Sequence, residues 1–450
     1  FWDPKKAPQV AANGSIVPDT GNPYNGLVLP GSGWPEAAKG RVPQYDDSTI
    51  NALFRGVPRG FNPLRKTNFQ PRLSFAWDVF GDGRLAVRAG AGIFHGVTGI
   101  AYSGWYLGAR PPLTQVTSIS NGNADNPSSG IPNTTRFPID AGSLPADYKI
   151  PTMYNYSVGI QVLMPYETQL DVSYVGNSGR HLSFSRPLNF LTPQEQAAHP
   201  GVDLRPFLPY RGLGGISLVE PSATSSYNSM QVAVRRRTGQ LTYSFSYTLG
   251  KIIGYGNEGV AGGIQNPLSV RPERSELEES RRHYAVLMHT WALPWYKNQQ
   301  GLLGRVLGGW SFTGIWTLTT GRLFGPSLTS APRQVASRPD VVGDWVIPKD
   351  QRTLFRFFKT EAFARPKDWT YGNAGKWIIR GPGSVDFSSF ALKDVRIFED
   401  MRLQFRVESF NTFNHPNLDS INTQLGHRAF GQVSGLGSPR YFQIGIKLLW

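Results

Sequence analysis

His283 and His289 stand six residues apart, and on an extended strand that even spacing puts both imidazoles on one face. Two imidazoles begin a metal site, but a closed ion shell needs further ligands, and no third one stands at a matching spacing. Gly90-Ala91-Gly92-Ile93-Phe94-His95-Gly96 has the glycine density of a dinucleotide loop. Its spacing is wrong, and it runs into a loop instead of the helix whose N-terminus would hold phosphate. Gly176-Asn177-Ser178-Gly179 lacks the middle residue and following helix of a nucleophile elbow. Glu273, Glu276, Glu278 and Glu279 could offer oxygen ligands to calcium, yet Arg271, Arg274, Arg281 and Arg282 surround them; the stretch reads as a solvated charged loop. A glycan hydrolase would need two facing carboxylates about 5–9 Å apart, and no pair is apparent by spacing. The chain contains no cysteine, so thiolate chemistry and disulfides are excluded. The expectation is a non-enzyme with no catalytic residues, metal or cofactor.

What remains is recognition. Trp105, Tyr106 and Arg110 form one aromatic and cationic group, and Trp369, Tyr371, Lys376, Trp377 and Arg380 form another. Such groups stack on flat ligands or sugars and attract anions; packing of loop residues on one another would give the same composition. Both groups fall in stretches without periodicity, so the elements that hold them matter more.

Those elements are strands. Leu73, Phe75, Trp77 and Val79 alternate with Ser74, Ala76 and Asp78, Gly81-Asp82-Gly83 turns the chain, and Leu85, Val87, Ala89, Ala91 and Ile93 continue the oily face. Four more hairpins follow, turning at Pro165-Tyr166-Glu167, at Thr238-Gly239-Gln240, through the intermediate 294–309 connection, and at Glu399-Asp400. His289 interrupts the oily face of the fourth. The final strand carries Phe442, Ile444, Ile446, Leu448 and Trp450 on one face against Gln443, Gly445 and Lys447 on the other. Eleven strands result. Placing Arg406 against hydrocarbon would cost about 2–4 kcal/mol, so Gln404, Arg406 and Glu408 must face a lumen while Leu403, Phe405 and Val407 face lipid.

The gaps sort by parity. Residues 1–70 and the stretches 96–150, 187–226, 250–282, 321–384 and 412–439 are long and aperiodic, whereas the intervening turns are short. Bacterial outer-membrane barrels have short periplasmic turns and long external loops; a soluble sandwich has no reason to segregate its loops. The reading is an all-β antiparallel transmembrane barrel over 71–450, with 1–70 an extracellular loop region and the C-terminus periplasmic. Phe80, Tyr166, Trp295, Trp310 and Trp450 would then gather as a periplasmic aromatic girdle. An odd strand count leaves the first and last strands parallel, so the chain by itself is expected to be an incomplete barrel.

Composition agrees. Aromatics make up 12%, with Gly 50 and Pro 35, mean hydropathy is −0.30, and no apolar run reaches the ~18 residues of a membrane helix. Lys plus Arg number 46 against Asp plus Glu 31, a net charge of +15. The cations are scattered apart from Arg235-Arg236-Arg237, which fits anionic lipopolysaccharide or solute better than nucleic acid. The opening Phe1-Trp2-Asp3-Pro4 has neither Met nor a leader pattern, the expectation being a trimmed piece.

Gln443, Gly445, Leu448 and the terminal Trp450 resemble the signal by which outer-membrane barrels are passed to the barrel-assembly machinery. The stretches Asn68–Asp78, Asp171–Leu182, Leu307–Gly314 and Arg402–Pro416 together resemble the TonB-dependent receptors, in particular the Oar-like members with a carboxypeptidase-regulatory-like domain. The resemblance implies a barrel of about 22 strands filled by an N-terminal plug, a segment gripped by TonB, and uptake of a scarce solute, with a structural or adhesive surface barrel as the alternative. None of the N-terminal parts is recognisable here. The chain resembles the C-terminal half of such a barrel, its remaining strands and plug coming from an absent segment or another chain.

Overall fold

The structure is a computed structural model describing residues 2–59, 61, 68–96, 114, 125–126, 137–255, 264–329, 337–398 and 401–450. Eleven strands form one antiparallel meander: β1 Arg72–Asp78, β2 Leu85–His95, β3 Thr152–Met164, β4 Thr168–Pro187, β5 Leu213–Arg236, β6 Leu241–Gly254, β7 His283–Ala292, β8 Trp310–Thr319, β9 Ser384–Phe398, β10 Met401–Phe410 and β11 Tyr441–Leu449. Each pairs with its neighbours in sequence. Two short loop strands, Ile139–Ser143 and Ser275–Glu276, attach to β5 and β6 to complete a thirteen-stranded sheet.

Directly opposed residues of paired strands share a face, so the register shows whether the separate oily faces line up. They do. One row runs Trp77, Val87, Ile160, Val172, Val232, Tyr247, Ala285, Leu318 and Val385 across nine strands. A second runs Leu241, Trp291, Phe312, Ala391, Val407 and Ile444 to the last. The opposite face carries rows such as Gln161, Asp171, Ala233, Ser246, Val286, Thr317 and Asp386.

Among the described residues no second layer covers the oily belt. Leu73 and Ile444 are each 78% exposed, and Phe75, Trp77, Val158, Ile446 and Phe442 are exposed as well. A water-soluble monomer rarely leaves so large a contiguous apolar surface open. The buried apolar clusters lie beyond the belt, in the loops and the outward extensions of β4 and β5: Phe357, Phe358, Phe363, Ile379 and Ile421 in one, Ile139, Leu213 and Ile216 in another, Leu29, Ile50 and Leu53 in a third, and Leu182, Phe184 and Ala223 in a fourth.

The turns fall as their chemistry requires. The Asp78 carboxylate accepts from Gly81 and Gly83 N–H (3.0 and 2.8 Å), and both glycines have positive φ, which a side chain would strain. Tyr166 and Glu167 adopt positive φ too. The Glu399-Asp400 turn lies outside the described residues.

Two boundaries differ from the periodicity. The gap expected at 187–226 closes early, since β5 already starts at Leu213. Alternation fails there because the extensions rise above the belt and bury residues of both faces, such as Ile216, Ser217 and Val219. The 294–309 connection contains the short helix Gly301–Leu307.

Candidate functional site

The long loops meet around the acidic stretch that precedes β7. The Glu273 carboxylate is 0% exposed and receives both Arg338 Nη1 (2.8 Å) and Nη2 (2.9 Å). Gln265 completes the cluster: its N–H donates to Glu273 Oε1 (3.2 Å), its Nε2 donates to the Gly372 carbonyl (2.7 Å), and its Oε1 accepts from Arg338 N–H (2.9 Å). Lys376 Nζ lies 4.0 Å from Glu273 Oε2 and donates to the Tyr255 carbonyl (3.3 Å). Burial holds the Lys376 ammonium below its ordinary range, although Glu273 opposes the shift.

A second pair is built the same way. Arg380 Nη2 meets Glu276 Oε1 at 2.7 Å, while Arg380 Nη1 donates to the Ser280 and Gly321 carbonyls. Ser280 Oγ also donates to Glu276 (2.8 Å), and Lys251 stands 3.7 Å away. Burial pushes the Glu276 carboxyl up, but hydrogen bonds from Ser280 and Arg380 outweigh it and leave the group below its usual range. Glu278 pairs with Arg322 at 3.1 Å. The acidic stretch is therefore not the solvated loop its composition suggested: three of its four carboxylates fasten neighbouring loops, and the Arg or Lys partners come from up to 104 residues away.

Of the aromatic and cationic residues expected to bind a ligand, the structure brings Lys376 and Arg380 into this clamp. Trp377 is part-buried, with its indole N–H enclosed and without an acceptor. Trp369 and Tyr371 are part-buried nearby in the chain, and burial raises the Tyr371 phenol. Trp105, Tyr106 and Arg110 lie outside the described residues. Arg338 and Gln265 had no signal in the sequence; neither belongs to a periodic element or a spaced motif.

A separate cleft of about 680 Å³ opens where the N-terminal region meets the extensions of β4 and β5, lined by Trp2, Leu27, Val57, Phe61, Tyr210 and Ile216. Trp2 and Tyr210 meet edge to face there, 5.3 Å apart. Its walls are mostly apolar, and among the described residues none of those lining it is charged.

The remaining motifs fall on strands. Gly90 to His95 belong to β2 and Gly176 to Gly179 to β4. His283 and His289 share the apolar face of β7, roughly 20 Å apart at strand rise, too far to hold one ion. His283 Nδ1 contacts Tyr247 Oη (2.8 Å). Among the described residues no group of three or more His, Cys, Asp or Glu is placed to hold a metal. Arg235 to Arg237 close β5 at the short-turn end, with Arg236 over the Tyr166 ring at 5.8 Å.

At the C-terminus Gln443 stands opposite Glu408, Gly445 opposite Arg406 and Leu448 opposite Leu403. Trp450 is 92% exposed beyond the end of β11.

The profile of a family described as "Outer membrane beta barrel domain" matches residues 2–443. No curated protein sequence matches the chain. Among solved structures it is similar to the outer membrane transporter YddB from Escherichia coli (10% identity, TM-score 0.46, 84% of this chain and 40% of that one). Others are the FrpB iron transporter from Neisseria meningitidis (10%, 0.41, 84% and 39%) and the siderophore receptor PiuA from Acinetobacter baumannii (9%, 0.41, 83% and 35%). The chain spans well under half the length of each.

Proposed function

Since the chain belongs to the outer membrane beta barrel domain family, we propose that it is part of the barrel wall of a TonB-dependent, Oar-like receptor that takes up a scarce solute. The observation that carries this reading is the open sheet. β1 and β11 are both odd-numbered in an antiparallel meander and run in the same direction, so they cannot close on each other as antiparallel neighbours. Each leaves a ladder edge unpaired among the described strands, and an unpaired edge in hydrocarbon is not tolerated. The partner strands, the plug within them and the segment that couples to TonB would come from a preceding segment or another chain.

In this reading the long loops face outward against lipopolysaccharide, the short turns and Trp450 lie at the periplasm, and Gln443, Gly445, Leu448 and Trp450 address the strand to the assembly machinery. Trp105, Tyr106, Arg110, Trp369, Tyr371 and Trp377 would be the loop residues that bind the solute, with Lys376 and Arg380 joining them through the clamp that shapes their loop. The test is growth on, and accumulation of, a panel of radiolabelled siderophores, metal chelates and oligosaccharides by cells expressing the full-length protein, with and without TonB. Uptake of any of them that vanishes without TonB supports transport.

A structural or adhesive surface barrel is the second reading. It is favoured by the fate of the loop cations: Lys376 and Arg380 are spent on Glu273 and Glu276 instead of pointing at solute. TonB-independent adhesion or envelope defects on deletion, without any uptake, would support it.

A further inference from the structure

The connection between β7 and β8 is the longest of those at its end of the sheet, and it carries a helix. The helix Gly301–Leu307 turns Gly304 against the backbone of Gln299, where a Cβ would come within 2.9 Å. Its other side is open: Leu302 is 82% exposed, and Leu303, Val306 and Leu307 are exposed with it. At about 100° per residue these four fill one arc, while Gly301 and Arg305 fall outside it.

The side-chain contacts that this connection makes with Trp310, Lys393 and Trp291 lie on the apolar face of the sheet. Trp310, on the belt, donates its indole N–H to the Val306 carbonyl (3.0 Å). Lys393, opposite Trp310 in the register, donates to the Gly308 carbonyl and lies over the Trp310 ring at 5.7 Å. Trp295 meets Trp291 of the belt edge to face at 6.0 Å. Gln299 fixes the position by donating to the Asp394 carbonyl (2.8 Å) and accepting from Arg396 N–H (3.1 Å). From Leu293 to Gly309 the chain holds Lys297 and Arg305 and no acidic residue.

We propose that this helix is a membrane-interface foot: its Leu302, Leu303, Val306 and Leu307 arc lies among phospholipid acyl chains at the short-turn edge of the belt, the inner leaflet in the orientation above. The occupant is lipid because the arc adjoins the apolar belt at Trp310, whose indole N–H meets the Val306 carbonyl, and because aromatic and cationic residues frame it, the composition that settles at headgroup depth. The foot fixes how deep the wall sits, since an apolar arc lying flat in the interface resists displacement along the membrane normal. The inference rests on the barrel reading and adds a contact that strands alone do not make.

The chain has no cysteine of its own, so a single thiol placed in it reports its own site once any cysteine elsewhere in the full-length protein is replaced by serine. Leu303→Cys, Arg305→Cys and, on the belt, Ile444→Cys would each be labelled with an environment-sensitive fluorophore in the full-length protein folded into phosphatidylcholine vesicles. The expected result is that Leu303→Cys is quenched by lipid brominated high on the acyl chain and shielded from aqueous iodide, whereas Arg305→Cys is open to iodide. If Leu303→Cys does not fold, Leu302→Cys replaces it. Equal iodide quenching at 303 and 305 overturns the inference, and so does a site at 303 shielded from iodide yet untouched by brominated lipid, which would mean a protein covers it. In both cases lipid quenching at Ile444→Cys leaves the barrel reading standing; its loss removes the barrel reading and this inference with it.

Discussion

Gly314 of β8 stands directly opposite His289 of β7, and a Cβ at that glycine would lie 2.4 Å from His289 Cε1 and 2.9 Å from the Phe387 ring. The missing side chain is what lets an imidazole fold flat into an otherwise oily belt. Gly314→Leu is expected to destabilise the wall by about 1–3 kcal/mol through overpacking. Urea unfolding in vesicles should show that His289→Ala recovers part of the loss; additivity of the two changes would refute the contact.

The facing assignment predicts an asymmetry between adjacent residues. Phe405→Arg puts a cation on the lipid face and is expected to cost about 2–4 kcal/mol near the midplane, whereas Arg406→Leu, on the polar face beside Glu408, should insert nearly as the parent does. A folding assay by heat-modified gel mobility would decide, with equal insertion counting against the assignment.

The loop clamp can be opened by one substitution. Arg338→Leu strands a buried Glu273 carboxylate, and breaking such a pair from one side typically costs about 3–5 kcal/mol. Hydrogen exchange should rise in residues 264–274 and 337–341 while the belt stays protected. Glu273→Leu with Arg338→Leu and Lys376→Met should exchange less than Arg338→Leu alone, because the carboxylate and both of its cations are then gone together.

Acid should loosen the second pair. Glu276 has a folded pKa below its ordinary 4.5, so its contribution is fully present above that value and fades as pH falls through the lower, folded one. Lys376 works at the other end. Its folded pKa lies below 10.5, so the unfolded loop binds more protons between the two values and loop stability rises with pH across that window. Proteolysis of the loops against pH should show both limbs, with Glu276→Gln flattening the acid one and Lys376→Met the alkaline one.

The terminal aromatic should matter to assembly more than to stability. Trp450 contacts little and is nearly fully exposed, so Trp450→Ala is expected to slow delivery into cell envelopes while leaving urea unfolding of the inserted protein unchanged. An equal effect on both would assign it a packing role instead.

Alternation of side chains on a strand is a local property, fixed by the two-residue period, which is why eleven strands, their oily faces and the sorting of short turns from long loops could be read from residues alone. Even His289 showed itself as an interruption. What the order of residues could not carry was pairing between segments far apart. Glu273 looked solvated because its partner, Arg338, is 65 residues away in a stretch with no period, and Lys376 and Arg380 looked free for the same reason. The outer extension of β5 was hidden because burial on both faces erases alternation, and the helix Gly301–Leu307 because seven residues are too few for a 3.6-residue period to declare itself. The sequence determined which side chains share the apolar face of the sheet; only the tertiary structure decided which loop charges meet each other, because that depends on where the strand register brings distant loops.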